Sequence, residues 1–355
     1  MAINLHSKYE STLAKRFTLS SRTDAHAGKK YDFDGLRSIV ISTAAQVKVN
    51  DYNRTASSNR FGTPEELGDT TQTLTMSQDK SFVFAIDAGN ASDQQYIKKV
   101  NDIITTAWDE QCVPLVDMYR FNRWANGAGL GAVNATALAP NTILSAIMTA
   151  SAAMSNKLVP RTNRVLFICE TVYIAAKLAS SILYSDKLTQ DAVSRGVVGY
   201  LDGMEVIPVP DSYLPAGVNF MIKYRDATVD PMKLKNLSVY KDPQDIDGQL
   251  GRCRFYHDAF VLDNYVNGIY IHAQSGVVAT PAGDNGTTTA GKVTLTCATS
   301  GATIKYTIDG TNPKTSSTVQ TYAAAFTAPA SGSLIRAYAT KSGSVDSAIF
   351  ELAIA

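Results

Sequence analysis

The first groups to examine for chemistry in this 355-residue chain are its carboxylates, histidines and thiols. A pair of acids that cleaves a glycosidic bond stands about 5–10 Å apart across a cleft. Within residues 276–355 the acids are Asp284, Asp309, Asp346 and Glu351. Asp309 lies in "YTIDGTNPKTSS", residues 306–317, where Asp-Gly followed by Asn-Pro favours a tight turn. Its carboxylate is therefore assigned to turn geometry and not to acid catalysis. "DPQDIDGQ" holds Asp242, Asp245 and Asp247 but lacks the downstream Glu of a calcium loop, so it reads as a solvated turn. His6, His26, His257 and His272 form no pair at metal-ligand spacing. Neither a G-x-S-x-G elbow nor a phosphate-binding loop occurs. Gly127, Gly129 and Gly131 in "NGAGLGAVNA" miss the dinucleotide pattern and follow no hydrophobic strand, which leaves a loop. Cys112, Cys169, Cys253 and Cys297 show neither zinc spacing nor disulfide density, so reduced thiols are expected, with Cys169 packed behind a buried strand. The expectation is no enzyme, no cofactor and no metal.

Composition points the same way. The chain is 45% hydrophobic and 18% charged, which suits a globular protein of two or three domains. A net charge of +1 offers nucleic acid no global polycation, so any such contact must be local. The first residues lack the apolar run of a signal peptide, and no stretch approaches the ~18 apolar residues of a membrane span. Synthesis in a cytoplasm, without a membrane partner, is expected.

The elements that would position these residues follow in order. Residues 1–30 form a polar, basic N-terminal segment. Leu5, Tyr9, Leu13 and Phe17 at helical spacing mark a short helix, and the rest reads as an extended arm. It is either a solvated tail or an arm lying on a neighbouring subunit or near nucleic acid, with Lys15, Arg16 and Arg22 as the DNA-facing candidates. Residues 41–87 read as one long hairpin, its polar tip carrying Arg54, Arg60 and Phe61. A two-stranded hairpin is marginal in water, so it must rest on something else. "SDQQYIKKVNDIITTAWDEQ" is an amphipathic helix with a Ser92/Gln95 capping box, and Pro114 should end or kink it. From 141 helices and strands alternate, with Asn141 and Thr171 as caps, giving a mixed α/β unit. After 230, "LSVY", "RCRFYHDAFVLD" and "VNGIYIHA" are expected to pair as one antiparallel sheet. Beyond Ser275 the chain becomes rich in Thr and loses His and Trp. A linker-like opening leads into short, evenly spaced strands, the pattern of an immunoglobulin-like sandwich over 276–355.

This order of parts, with "GVVGYLDGMEVIPVPDSYLP" (196–215) and its glycines Gly196, Gly199 and Gly203, resembles the major capsid proteins of tailed bacteriophages, the HK97-like fold. "YHDAFVLDNYVNGIYIHA" is similar to their final strands. The resemblance covers about residues 1–275. It implies an α+β fold: an N-terminal arm (1–35), an extended loop over the adjacent subunit (41–87), a spine helix (92–124), an axial domain (about 130–245) and a peripheral domain closed by the last strands. It further implies hexamers and pentamers of an icosahedral shell around non-specifically held double-stranded DNA. A separate scaffolding protein and a portal would take part, and assembly would occur in the host bacterial cytoplasm. An encapsulin-like compartment shell shares these features and stays open as an alternative. "IKYTIDGTNPKTSS" and its neighbouring strands resemble immunoglobulin-like and chitobiase C-terminal-type domains. Such a module, displayed outward, either stabilises the shell or adheres weakly to surface glycans. Tyr306, Asp309 and Tyr322 are the contact candidates, although core packing competes for both tyrosines. A free carbohydrate-binding surface protein is the remaining alternative.

Overall fold

The computed structural model describes residues 18–31, 33, 37–44, 47, 49–64, 66–89, 99–179, 199–241, 247–284 and 291–354. Three elements open the chain: β1 (Ser38–Ala44), β2 (Asp69–Thr75) and β3 (Gln78–Asp87). β1 and β2 pair antiparallel, from Ser38 opposite Thr75 to Ala44 opposite Asp69. The hairpin expected over 41–87 is thus a shorter ladder, and Val47 and Val49 lie beyond its strands. β3 turns away and joins a different sheet, because its alternating Phe82, Phe84 and Ile86 find their partners across the domain. Alternation shows that a strand exists, not which strand it pairs with.

The spine starts as α1 (Val100–Ala107), passes through a π-helical turn, Trp108–Cys112, and continues as α2 (Val113–Gly127). Pro114 neither ends nor visibly breaks it. Val113 N–H bonds Trp108 O, the wider i→i+5 spacing of a π turn, and Pro114 falls in the first turn of α2, where its missing N–H costs little. The Ser92/Gln95 capping box lies outside the described residues.

Six strands form the central sheet. They are β4 (Leu130–Val133), β5 (Arg164–Cys169), β6 (Tyr200–Leu201), β7 (Met204–Val209), β8 (Val218–Tyr224) and, after four intervening strands, β13. Two helices accompany them, α3 (Ile143–Asn156) and α4 (Glu170–Lys177). The intervening strands are β9 (Thr228–Val229), β10 (Met232–Lys241), β11 (Gly248–His257) and β12 (Phe260–Val261); β13 is Ile269–Ala273. The sheet order is β4-β13-β8-β5-β7-β6. β5 is buried on both faces, as a continuous Val-Leu-Phe-Ile run requires.

Four expectations change here. Residues 130–133 are an edge strand parallel to β13, not a loop, and the glycines here serve close packing: a Cβ on Gly131 would lie 3.0 Å from the Ile271 carbonyl oxygen, and one on the preceding Gly129 2.7 Å from that of Val266. α3 begins after Thr142, not at Asn141. The first turn of α4 is held by the Asp211 carboxylate, which accepts from Thr171 N–H and its hydroxyl, so Thr171 is not the cap. The late strands divide: β10 pairs with β11 and β11 with β3, whereas β13 crosses into the central sheet.

Trp108, Cys112 and Val116 of the spine pack on Phe82, Cys253 and Phe255 of the β10-β11-β3 sheet. Phe121 and Trp124 reach the central core with Phe167. One rod thereby joins two sheets.

The C-terminal part is a two-sheet sandwich. One sheet holds β14 (Ala282–Asp284), β15 (Lys292–Thr296) and β18 (Phe326–Thr327). The other holds β17 (Gln320–Thr321), β16 (Thr303–Thr307), β19 (Leu334–Thr340) and β20 (Phe350–Ala353). Val293, Leu295, Ile304, Ile335, Ala337 and Ala339 fill the space between, in the alternation the sequence shows.

Candidate functional site

No cluster of three metal-ligating side chains exists among the described residues. No described helix is long and apolar enough to cross a membrane. The described histidines are packing groups. His26, His257 and His272 are buried, and burial lowers the pKa of each, that of His257 to about 4. Burial pushes the Cys169 thiol up to about 11, which suits a packed thiol and not a nucleophile. The candidate sites are therefore surfaces, and three segments supply them.

The N-terminal segment comes first. Lys15 and Arg16 lie outside the described residues. Arg22 does not stand on a free arm. Its backbone N–H donates to Asp117 Oδ2 at 2.8 Å, while the Ser21 and Thr23 hydroxyls donate to Asp117 Oδ1 at 2.8 and 2.5 Å. Arg120 on the same helix face donates to the Thr23 hydroxyl and pairs with Asp24. Further on, Gly28 N–H donates to Asp230, and the fully buried Lys223 ammonium donates to His26 O at 2.7 Å. Phe33 is buried beside Phe260, with ring centroids 5.8 Å apart. Residues 21–28, with Phe33, are thus a strap sewn onto the body by buried charges, not the extended arm their polar composition suggests. No local signal reveals this, because the strap's partners lie roughly a hundred to two hundred positions away.

The hairpin is the second surface. Ile39, Ile41, Leu74 and Met76 pack on Phe33, Val229, Phe260 and Leu262, so the ladder does rest on the body, as its thinness demands. Gln72 acts as a clasp: its Nε2 donates to Val261 O at 2.9 Å and its Oε1 accepts from Asp263 N–H at 3.1 Å. Asn264 Nδ2 donates to Thr43 Oγ1 at 2.6 Å. Beyond the ladder, Asn53 Oδ1 accepts from Thr55 and Ala56 and shapes a turn that presents Arg54, Arg60 and Phe61 to solvent. Arg60 Nε donates to Ala56 O at 2.8 Å. Phe61 meets Tyr52 edge-on at 4.9 Å, yet remains 83% exposed, with Val47 and Val49 also exposed. Apolar side chains exposed together in this way are a candidate contact surface.

The third surface is the turn around "DGTNPKTSS". Asp309 Oδ1 accepts from Thr311 N–H and its hydroxyl, and Oδ2 accepts from the Thr318 hydroxyl at 2.6 Å. Burial pushes this carboxyl up, but those hydrogen bonds outweigh it and hold the pKa below the usual range. Tyr306 is buried, its hydroxyl bonded to Gln320 and its ring stacked on Phe326 at 4.6 Å. Tyr322 packs edge-on against both rings. The three glycan-contact candidates are thus a turn former and members of an aromatic core cluster, and Tyr306 offers no free face for stacking on a sugar.

Beyond Asp309 this turn is a docking surface. Lys314 Nζ donates to Asn126 O at 2.7 Å and Ala128 O at 2.9 Å, at the C-terminal end of the spine, where free carbonyls and the helix dipole favour a cation. Burial of this ammonium lowers its pKa to about 7, against the opposing charge of Asp346. Asn312 Nδ2 and the Thr315 hydroxyl donate to Asp263 Oδ1 at 2.6 and 2.7 Å. Asp346 N–H donates to Asn126 Oδ1, Ile349 N–H to Gly129 O and Val345 N–H to Gly276 O. Lys157 pairs with Glu351. The sandwich is locked to the body along one side, and Gly276 is part of that lock.

The family model for the chitobiase/beta-hexosaminidase C-terminal domain matches residues 282–351. No curated protein matches the chain by sequence. Among solved structures, that of Mycobacterium phage Che8 superposes with a TM-score of 0.65 at 16% identity, over 76% of this chain and 97% of that one. The capsid of cyanophage P-SCSP1u gives 0.59 at 12% identity, covering 76% and 92%. The mature capsid of bacteriophage PhiM1 gives 0.59 at 10% identity, with the same coverage. The chain therefore has the fold of phage capsid subunits, the HK97-like fold expected from its order of elements, with a chitobiase C-terminal-type sandwich built onto it.

Proposed function

We propose that this chain is a major capsid protein, a structural subunit without catalytic activity that assembles through hexamers and pentamers into the icosahedral shell of a tailed bacteriophage. The observation that carries this reading is the superposition on phage capsids over nearly their whole length. The exposed Phe61–Tyr52 tip supports it, since a heterologous contact repeated around an axis closes rings that tile a shell. The shell encloses double-stranded DNA, assembles in the bacterial cytoplasm with a separate scaffolding protein and a portal, and displays the sandwich outward. DNA is held without sequence preference, and a net charge of +1 keeps that attraction modest. Any glycan contact of the sandwich uses a surface other than the aromatic cluster of Tyr306.

Sedimentation and electron microscopy of the full chain, expressed alone and purified from lysates with its assembly partners, test the reading. Closed particles several hundred ångströms across, holding nuclease-protected DNA, are the expected outcome. A protein cargo in place of DNA would support the encapsulin-like alternative. Protein that never exceeds a small oligomer in either preparation overturns the proposal.

A further inference from the structure

Asp263 opens the short helical turn Asp263–Gly268 and is held from two sides. Its carboxylate receives the sandwich through Asn312 and Thr315. Its backbone N–H grips the hairpin through Gln72 Oε1, the next residue holds Thr43, and the carbonyl two residues earlier, Val261 O, holds the other half of the Gln72 amide. The rear of the turn is fixed to the body: Val266 is buried, and Gly268 sits so close to Ala227 that an added Cβ would lie 2.9 Å from its methyl. The front is different. Tyr265 leaves helical geometry at φ −117° and ψ 16°, Asn264 is exposed, and Asp263 has its carboxylate and N–H committed to the sandwich and the hairpin.

We propose that the C-terminal sandwich sets the orientation of the hairpin: by gripping Asp263 it fixes the front of the 263–268 turn on which the β1–β2 ladder is clasped, so that releasing the sandwich loosens the ladder and releasing the ladder loosens the sandwich. The mutual effect follows from linkage, since two contacts that bias the same residue must influence each other equally. The sandwich then acts as an internal brace for the element that reaches outward. The coupling is a property of the single subunit and stands independently of the capsid reading, so failure of one is distinguishable from failure of the other.

Hydrogen exchange on the unassembled full chain tests it. In the doubly substituted Asn312→Ala, Thr315→Ala protein, amide exchange across residues 69–75 is expected to rise at least about fivefold, the lower end of ordinary coupling between sites, while β5 is unchanged. Faster exchange confined to residues 306–317, with the ladder unaffected, overturns the proposal. The reverse experiment uses Gln72→Ala and reads the Val345 and Ile349 amides, which bond to body carbonyls far from the substitution. Accelerated exchange there supports the coupling and unchanged exchange overturns it, and this variant decides alone if the double substitution does not fold.

Discussion

The hairpin and the sandwich are both attached to the same body, and they are attached in opposite ways. The hairpin ladder lies on a small apolar patch, is clasped by one glutamine, and carries Phe61, Tyr52 and Val49 out into solvent. The sandwich has a full core of its own and still commits a part-buried lysine, the Asn312 and Thr315 side chains and three backbone N–H groups to the body. An element that keeps its apolar groups outside is a candidate for contact with something else, as the proposed shell requires. An element that buries polar groups against its own chain is built to stay where it is, because an enclosed polar group is tolerated only when its partners are fixed.

The comparison breaks most visibly at the hairpin tip. Replacing Phe61 and Tyr52 with Ser is expected to leave the subunit folded, since neither side chain enters a core, and to abolish formation of closed particles in sedimentation. Normal particle yield would remove the tip from the assembly contact.

A pH titration separates the body from the sandwich lock. Among the described residues His257 finds no hydrogen-bond partner for either ring nitrogen, and its pKa is lowered to about 4 by burial, with Arg120 adding to the effect. The unfolded chain takes up this proton near pH 6.5 and the folded chain only near 4. Stability is therefore expected to fall as pH drops between those values, by about 3 kcal/mol from this group. Denaturant titrations of the protein and of His257→Phe measure it; equal acid sensitivity would place the effect elsewhere. Lys314 acts in a higher window. Its pKa is about 7 when docked, below the ordinary 10.5, so the undocked state holds the proton more tightly. Docking is expected to strengthen as pH rises from about 7 toward 10.5, read as slower exchange of the Val345 amide after correction for intrinsic rates.

Removing the cation outright has a smaller and more local effect. Lys314→Ala leaves the Asn126 and Ala128 carbonyls without this donor, a loss of roughly 1–3 kcal/mol of docking. Limited proteolysis near residue 276 should become faster while the central sheet stays protected. Asp309→Ala is expected to be the mildest change. It removes bonds within one exposed turn, costing about 1 kcal/mol measured by thermal denaturation, and leaves any glycan binding untouched.

Much of the fold is legible in the sequence because its signals are local. Hydrophobic alternation marks β15, β16, β19 and β20 of the sandwich, a continuous apolar run marks β5, and the 3–4 spacing of Val100, Ile104 and Trp108 marks the spine. The order of those elements suffices to suggest the capsid fold. What escapes local reading is pairing and docking. β3 has the right period for the hairpin and instead pairs with β11, more than 150 residues away. The edge strand β4 is hidden by glycines that serve backbone approach. Among the site residues, Asp309 is identified correctly as a turn former from its Asp-Gly and Asn-Pro neighbours. Lys314, five residues on, gives no sign in sequence that it caps the spine, because its partners are backbone carbonyls nearly 190 positions earlier. Arg22 looks like an arm residue for the same reason: the Asp117 that receives its backbone is distant in sequence.

A reconstruction of assembled particles at side-chain resolution tests the central contrast most directly. The account predicts sandwich density as sharp as the central sheet, with Lys314 at the end of the spine, and hairpin-tip density seated on an adjacent subunit. A sandwich smeared over many orientations, or a Phe61 tip folded back onto its own subunit, would contradict it.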